Sequence, residues 1–491
     1  MSRQRFFYTL IIFLLLPWAA VYLLWRARRQ RAYLRHWDER WGFFPERTDA
    51  ANQAPMLPII WLHAVSVGET RAVQPLLTAL QARYPRHRFL LTHMTPTGRE
   101  TSAALFGDQV EHCYLPYDTP GAMRRFLRRY RPGIGVMMET EIWPNLLAEC
   151  RAAGVPVCLL NARLSVRSAR RYARWPQLAR EAVQAFRLIG AQSAEDAARL
   201  SALGAPLETA KVHVTGNMKF DIEPPPAQLA LAQRLRARIG QRAVWLAAST
   251  REGEEALILA AWARALKNYR ILPDRQKVGA GETAIGRGQT GGGNDGSTHE
   301  RTPPLLIIVP RHPQRFDEVA RLVVAQGLTL QRRSEDQAAT GSALTTPATP
   351  ATPTTPMAPS VSPATQVWLG DSMGELFAWY ATADVAFIGG SLKDYGSQNL
   401  IEACAVGTPV LLGPSTFNFA QAAKEAVACG AAIPIQDADD LVRQVLCLLD
   451  GQSVQGVAAR QNMREAGLDF AQRHRGATAV SVGLIAALIE S

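Results

Sequence analysis

Short apolar runs that end in polar loops recur through this chain and restrict it to alternating strands and helices. In the first half the runs are Pro58–His63, Arg88–Thr92, Ile134–Met138, Val155–Leu160 and Leu188–Ala191. Helical patterns such as Thr70–Tyr84 and Pro120–Tyr130 lie between them. In the second half the runs are Ala243–Ala248, Leu305–Val309, Val367–Leu369, Val385–Ile388 and Pro409–Leu412. Apolar runs of this length suit strands covered on both faces, and strands separated by helices pair in parallel. The expectation is an α/β protein with two Rossmann-like, doubly wound domains facing a cleft, joined by a hinge in Asn217–Pro226. Parallel strands deliver their following loops to one sheet edge, where such folds bind ligands.

Two segments interrupt the second half. Gly279–Ser297 is rich in Gly with Gln and Asn, and Ala338–Pro363 is a Thr/Pro/Ala tract. Neither can bury enough apolar surface to order itself, so both read as disordered surface insertions, with flanks reaching 274–303 and 335–365.

Phe6–Trp25 is mostly apolar and carries no charge. As a helix it would span roughly 30 Å, the thickness of a hydrocarbon core. Arg3 and Arg5 precede it; Arg26, Arg28, Arg29, Arg31 and Arg35 follow it, and no A-x-A cleavage site ends it. The heavier basic flank keeps the body of the protein in the cytoplasm. Pro17 leaves two readings open, a single spanning helix and a monotopic anchor in one leaflet. The formal charge of +12 calls for an acidic partner. No basic block is interleaved with aromatics, so an anionic membrane surface is favoured over nucleic acid. The six cysteines show no CxxC spacing, which argues against a disulfide framework or a zinc knuckle and for a reducing compartment.

The chemistry sits in the loops. Met138–Asn145 places Glu139, Glu141 and Asn145 just past a strand, as ligand groups or as a capped helix start. Ser66–Glu69 opens a helix. Gly68 there permits close backbone approach, and Glu69 is either a desolvated general base or a first-turn partner of the helix dipole. Thr92–Gly98 reads first as an N-cap turn. Arg163 holds a phosphate, a carboxylate or a structural ion pair, and Lys219 reaches a phosphate or is a solvated charge. Ala248–Arg251 and Gly389–Ser391 end two strands of the second half. Pro310-Arg311-His312 is a stiff strand end suited to an anion, and Asp371–Leu376 is a further polar loop. In Gly396–Glu402 a Gly-rich turn opens a helix suited to phosphate, with Glu402 suited to ribose hydroxyls. No GxGxxG follows the first strand of either half, and there is no GxxxxGK[ST] or metal-ligand spacing. NAD-type binding, a P-loop, a metal and any other cofactor are therefore not implied.

In order along the chain stand WLHAVSVGE, TPTG, YLPYD, METEIWPN, NARLS, GNMKFD, ASTREGEE, PRHPQRF, DSMGEL, FIGGS and QNLIEACAVGTPVLLGP. Together they resemble the bacterial 3-deoxy-D-manno-octulosonic acid (Kdo) transferases, which attach Kdo to lipid A precursors. The resemblance covers the chain apart from the two insertions. It implies the GT-B glycosyltransferase architecture, CMP-Kdo as donor, a lipid A precursor as acceptor, an inverting reaction without metal, and work at the cytoplasmic face of the inner membrane. It implies Glu69 as general base, with Glu139 and Lys219 stabilising the transition state. It also implies CMP binding by Pro310, Arg311, His312, Met373, Gly374, Glu375, Asn399, Leu400, Ile401 and Glu402. The family often has Gly-Gly-His-Asn where this chain has Gly396-Ser397-Gln398-Asn399, so Gln398 inherits no role. The implied layout is a membrane anchor with basic flank over 1–35, an acceptor domain over 50–222, a CMP-sugar domain over 240–435 and C-terminal helices over 436–491. The alternative is another GT-B transferase or an epimerase using a UDP-sugar. A third class, a membrane-tethered binding protein without catalysis, would need Glu69 to be dispensable.

Overall fold

The computed structural model describes residues 2–28, 30–45, 57–204, 211–269, 302–335, 361–451 and 453–490. The chain divides into two compact units, Met1–Ile222 with His474–Ser491, and Glu223–Arg473. Most of both expected insertions lies outside the described residues. The tract read as low-complexity to residue 365 nevertheless ends in packed structure. Val361 and Thr365 are buried, Val361 N–H donates to the Arg238 carbonyl, and Arg242 donates to the Thr365 carbonyl.

The first unit holds a seven-stranded sheet: β1 Ile59–His63, β2 Arg88–His93, β3 Glu111–Tyr114, β4 Pro132–Met138, β5 Val157–Ala162, β6 Leu188–Ala191 and β7 Val212–Val214. Their order is β3-β2-β1-β4-β5-β6-β7, and every pairing is parallel. Winding reverses between β1 and β4. Because side chains alternate across a strand, β1 feeds two cores. Trp61 packs with Leu90, Met137 and Leu159 on one face, and Ile60 and Leu62 pack with Leu91 and Val136 on the other. Gly135 pairs with Trp61, and a Cβ there would stand 2.7 Å from the indole, so the ring fixes that glycine.

The second unit repeats the plan with β8 Val244–Thr250, β9 Leu305–Pro310, β10 Leu330–Arg332, β11 Val367–Leu369, β12 Val385–Ile388, β13 Val410–Leu412 and β14 Ala432–Pro434. The order is β10-β11-β9-β8-β12-β13-β14, with the reversal between β8 and β12. Trp245, Trp262, Ile308, Phe387, Leu411 and Leu441 lie in its core.

The C-terminal helices do not stay together. Ala438–Leu449 and Val454–Arg473 belong to the second unit, whereas Ala477–Ile489 belongs to the first. There Ala477, Ile485 and Ala486 join the core that contains Leu62 and Leu77. The Asp221 carboxylate fixes the return by accepting N–H groups of Gly476 and Thr478 at 2.6 and 2.5 Å.

Candidate active site

The strand order of the first unit puts the C-terminal ends of β1 and β4 side by side, and Glu69 and Glu139 leave from those two ends. Ser66 caps the helix Val67–Arg83, accepting the Glu69 N–H at 3.4 Å. The Glu69 carboxylate turns back and accepts the Val65 N–H at 2.6 Å. The Thr95 hydroxyl donates to the Val65 carbonyl at 3.0 Å and also caps Pro96–Phe106, so Thr92–Gly98 is the N-cap turn its sequence suggests and braces the Glu69 loop as well. Gly68 is exposed, and a Cβ there would meet only Ser66 Oγ at 3.9 Å; the turn itself does not require glycine. Burial, then the neighbouring Glu139 and Glu141 charges, push the Glu69 pKa up to about 8, against the pull of the Val65 N–H and Lys219.

Glu139 behaves in the opposite way. Burial raises its pKa, but Lys219 and Arg163 outweigh that and hold the carboxyl below its ordinary value. Lys219 Nζ lies 2.6 Å from one carboxylate oxygen and Arg163 Nε 3.2 Å from the other. Thus Arg163 is a carboxylate partner, and Lys219 is no solvated surface charge. Lys219 rides on a short 3-10 turn, Met218–Asp221, that is pinned twice. Asn217 Oδ1 accepts the Lys219 N–H, and the fully buried Asn161, at the end of β5, accepts the Met218 N–H, both at 3.0 Å. Sequence reading does not single out Asn161; its place in the loop carrying Arg163 is the available signal.

Glu141 accepts the Trp143 indole N–H at 2.6 Å and stands 3.9 Å from His63 Nε2. Burial drives the His63 pKa down to about 3, with His93 adding to the effect. His63 is therefore neutral at neutral pH, and the approach to Glu141 is not an ion pair there. Asn145 is engaged elsewhere: its backbone N–H donates to the Asp118 carboxylate, its side-chain amide donates to the Asp118 carbonyl, and its Oδ1 accepts the Thr9 hydroxyl.

In the second unit the loops after β8, β9 and β12 meet. Arg311 follows β9; its N–H donates to the Thr250 carbonyl and its Nε to Gln398 Oε1 at 3.1 Å. Gln398 thereby acquires a role the resemblance left open. His312 Nε2 lies 3.2 Å from Arg251 Nη1. Burial, then Arg251, Arg311 and Arg315, lower the His312 pKa, so its ring accepts from Arg251. Glu375 is committed to a two-pronged contact with the buried Arg333 at 3.1 and 3.2 Å, while Met373 is exposed and Gly374 adopts a φ of 81°. The helix expected to open at Gly396 begins only at Ile401. Asn399 just before it accepts the Ile401 N–H at 3.0 Å and donates to Glu402 at 3.1 Å.

Glu254 organises this edge and escapes a sequence reading, because a Glu in the first turn of a helix has nothing local to mark it. It is fully buried and accepts three backbone N–H groups: Arg251 at 2.8 Å, Gly390 at 2.7 Å and Leu392 at 2.9 Å. One carboxylate thus ties the β8 loop to the β12 loop. At the same junction a Cβ on Gly389 would stand 2.5 Å from the Ser249 carbonyl oxygen. Glu254→Ala leaves three donors without their acceptor and is expected to cost about 3 kcal/mol. Calorimetry should then show the second unit melting ~6–12 °C lower; an unchanged melting temperature would dismiss the clamp.

Among the described residues, non-glycine residues with positive φ include Glu139, Asn161, Ser249 and Ser397. Glu139 and Asn161 lie at the strand-end edge of the first unit and Ser249 and Ser397 at that of the second, whereas His36 and Arg131, which share the positive φ, lie elsewhere; held strain can mark places where a fold positions chemistry.

A model of the family described as 3-Deoxy-D-manno-octulosonic-acid transferase (kdotransferase) matches residues 35–222. A 3-deoxy-D-manno-octulosonic acid transferase of Bordetella pertussis is 41% identical over 465 residues, which cover 93% of this chain and 93% of the relative. The chain belongs to the Kdo transferase family. It is a glycosyltransferase. A second relative of the same description, from Haemophilus influenzae, is 33% identical over 96% of each chain. The UDP-GlcNAc 2-epimerase from Neisseria meningitidis, solved bound to UDP-GlcNAc, aligns with a TM-score of 0.51 at 14% identity, over 87% of this chain and 99% of that one. That likeness is one of fold: two parallel-sheet domains of GT-B type.

Proposed function

We propose that this Kdo transferase takes Kdo from CMP-Kdo and attaches it to a hydroxyl of a lipid A precursor, without a metal and with inversion, at the cytoplasmic face of the inner membrane. The observation that carries the mechanism is the divergence of two carboxylates at one sheet edge, Glu69 lifted to about 8 and Glu139 held low by two cations. Such a split marks a proton-transferring group beside a permanently charged one. Glu69 takes the proton from the acceptor hydroxyl as its oxygen bonds to the anomeric carbon of Kdo. The bond from that carbon to the CMP phosphate oxygen breaks, and CMP leaves as a phosphate monoester. Lys219, held 2.6 Å from Glu139, steadies the negative charge that develops.

CMP is held by Pro310, Arg311, His312, the Met373–Glu375 turn and Asn399–Glu402. Arg311 supplies the charge for phosphate. Because the Glu375 carboxylate is taken by Arg333, this turn acts through its backbone N–H groups, with the positive φ of Gly374 aiming them. The helix Arg3–Ala27 and its arginines attach the enzyme to anionic lipid, where its acceptor resides. The test is product analysis by mass spectrometry with CMP-Kdo and a tetra-acylated lipid A precursor. Addition of one or more Kdo units in metal-chelated buffer is expected; turnover only with a UDP-sugar would overturn the reading.

A further inference from the structure

The N-terminal helix Arg3–Ala27 is long and apolar enough to cross a membrane. Its contacts with the first unit do not fit crossing. Near its start, Ser2 Oγ donates to Glu181 at 2.9 Å, and Gln4 Oε1 accepts the Leu178 N–H at 2.9 Å. One turn later the Tyr8 hydroxyl donates to Asp118 at 2.9 Å, and the Thr9 hydroxyl to Asn145 Oδ1 at 3.0 Å. Asp118 is itself buried and receives the N–H groups of Asn145 and Leu146. At the far end, Leu23 and Ala27 are 3% and 7% exposed and pack with Tyr33 and Tyr117. Both ends of the helix are therefore fastened to one folded body.

Exposure along the helix shows the same arrangement in between. Thr9, Ile12, Leu16, Ala20, Leu23 and Ala27 recur at three- and four-residue spacing, and each is buried or partly covered. Phe7, Ile11, Leu14, Trp18, Val21 and Trp25 recur at the same spacing on the other side, with exposures from 43% to 73%. Protein covers this face at its two ends and only partly between them, and the opposite face from Phe7 to Trp25 is an apolar stripe about 27 Å long. A spanning helix would have to release four side-chain hydrogen bonds and uncover the face that holds Leu23.

A second exposed feature adjoins the docked N-terminus. The helix Pro176–Ala185 that receives Ser2 and Gln4 is preceded by Val166–Tyr172. The helix Val166–Tyr172 and the turn after it expose Arg167, Arg170, Arg171 and Arg174, together with Trp175, 40% exposed. Arginines beside exposed aromatic and aliphatic groups match an anionic phospholipid surface: guanidinium to phosphate, indole to the headgroup boundary. Taking the membrane attachment proposed above as its basis, we infer that Arg3–Ala27 lies in the plane of one leaflet as a monotopic element. With the Arg167–Trp175 patch it seats the first unit on anionic lipid.

The seating bears on the reaction. Thr9 and Tyr8 bind Asn145 and Asp118 at the start of the helix Pro144–Ala152, directly after the loop carrying Glu139, Glu141 and Trp143. The lipid-facing element is thus fixed to the segment that presents the carboxylates.

The test uses the full chain with Ser2→Cys in sealed phosphatidylethanolamine vesicles rich in phosphatidylglycerol. A membrane-impermeant maleimide is added outside, and peptide mass spectrometry reads the labels. The native Cys447 is exposed and reports which side the body faces. In-plane seating labels the introduced thiol and Cys447 in the same molecules; labelling of one or the other, with both reacting only after detergent, would show spanning and overturn the inference. Failure of the protein to bind these vesicles at all would instead remove the membrane attachment on which it rests. Arg170→Glu with Arg171→Glu should weaken binding about five-fold per arginine in low salt. Unchanged binding would exclude the patch from the surface.

Discussion

Glu69→Gln is expected to lower turnover with CMP-Kdo and lipid A precursor by at least two orders of magnitude, the range a positioned base supplies being roughly 10²- to 10⁴-fold. CMP affinity should be unchanged, because the proposed nucleotide contacts lie in the second unit. The amide oxygen of Gln can still accept the Val65 N–H that the carboxylate accepts now, so the loop keeps its shape. Two pH effects separate this from a structural role. In the wild type only the ionised form is a base, so turnover should rise with pH through about 8, and that rise should vanish in the variant. Stability moves the other way. The folded pKa lies above the ordinary 4.5, so the unfolded chain releases a proton that the folded chain keeps. Folding stability contributed by this group therefore falls as pH rises between those two values, and is level above them. Glu69→Gln should gain on the wild type in melting temperature across that window. Were Glu69 only a partner of the helix dipole, its loss would cost about 0.3–1 kcal/mol and leave turnover near normal. Turnover, CMP affinity and melting curves on one variant decide between them.

The interior strands of both sheets are legible in the amino-acid sequence, because they are apolar runs buried on both faces and such runs are visible to the eye. Strand order is not legible there: nothing local says that β1 lies beside β4, and it is that adjacency which gathers Glu69 and Glu139. The four edge strands β3, β7, β10 and β14 escape notice because each is only three or four residues long and none is buried throughout, so none shows an apolar run. Lys219 is found through its motif, but its environment depends on Asn161 and Arg163, brought in from β5 by parallel pairing. Glu254 is hidden for a different reason. A buried acid reads as a surface acid until the N–H groups it serves, from a loop well over a hundred positions later in the sequence, are in view. The Glu375–Arg333 contact also joins residues far apart in sequence and is equally silent.

Lys219→Ala carries the second large effect, and its sign with pH is distinctive. Glu139 is 5% exposed, and its charge is tolerated because Lys219 stands at 2.6 Å and Arg163 at 3.2 Å. The Arg163 side chain is 38% exposed, so water screens it and Lys219 contributes more of the compensation. Removing one partner of a buried pair costs about 3–5 kcal/mol, and the surviving Arg163 contact places this case near 3. Denaturant unfolding should show that loss at neutral pH. In the wild type the folded pKa of Glu139 lies below its ordinary value, so the stability it contributes is present above that value and is lost only as pH falls through the folded pKa. Without Lys219, burial is opposed only by the partly screened Arg163 and lifts the carboxyl. The variant can then take up a proton more readily than the wild type, so the gap to wild type narrows as pH falls below neutral. The double variant Glu139→Gln with Lys219→Met removes both charges and should regain most of the stability at neutral pH. It should not regain turnover, since the cation proposed to face the leaving phosphate is gone; a loss of roughly 10²- to 10³-fold is expected. A double variant that is both stable and fully active would mean that the pair only holds the β4 loop to the Met218–Asp221 turn, and that the leaving charge is met elsewhere.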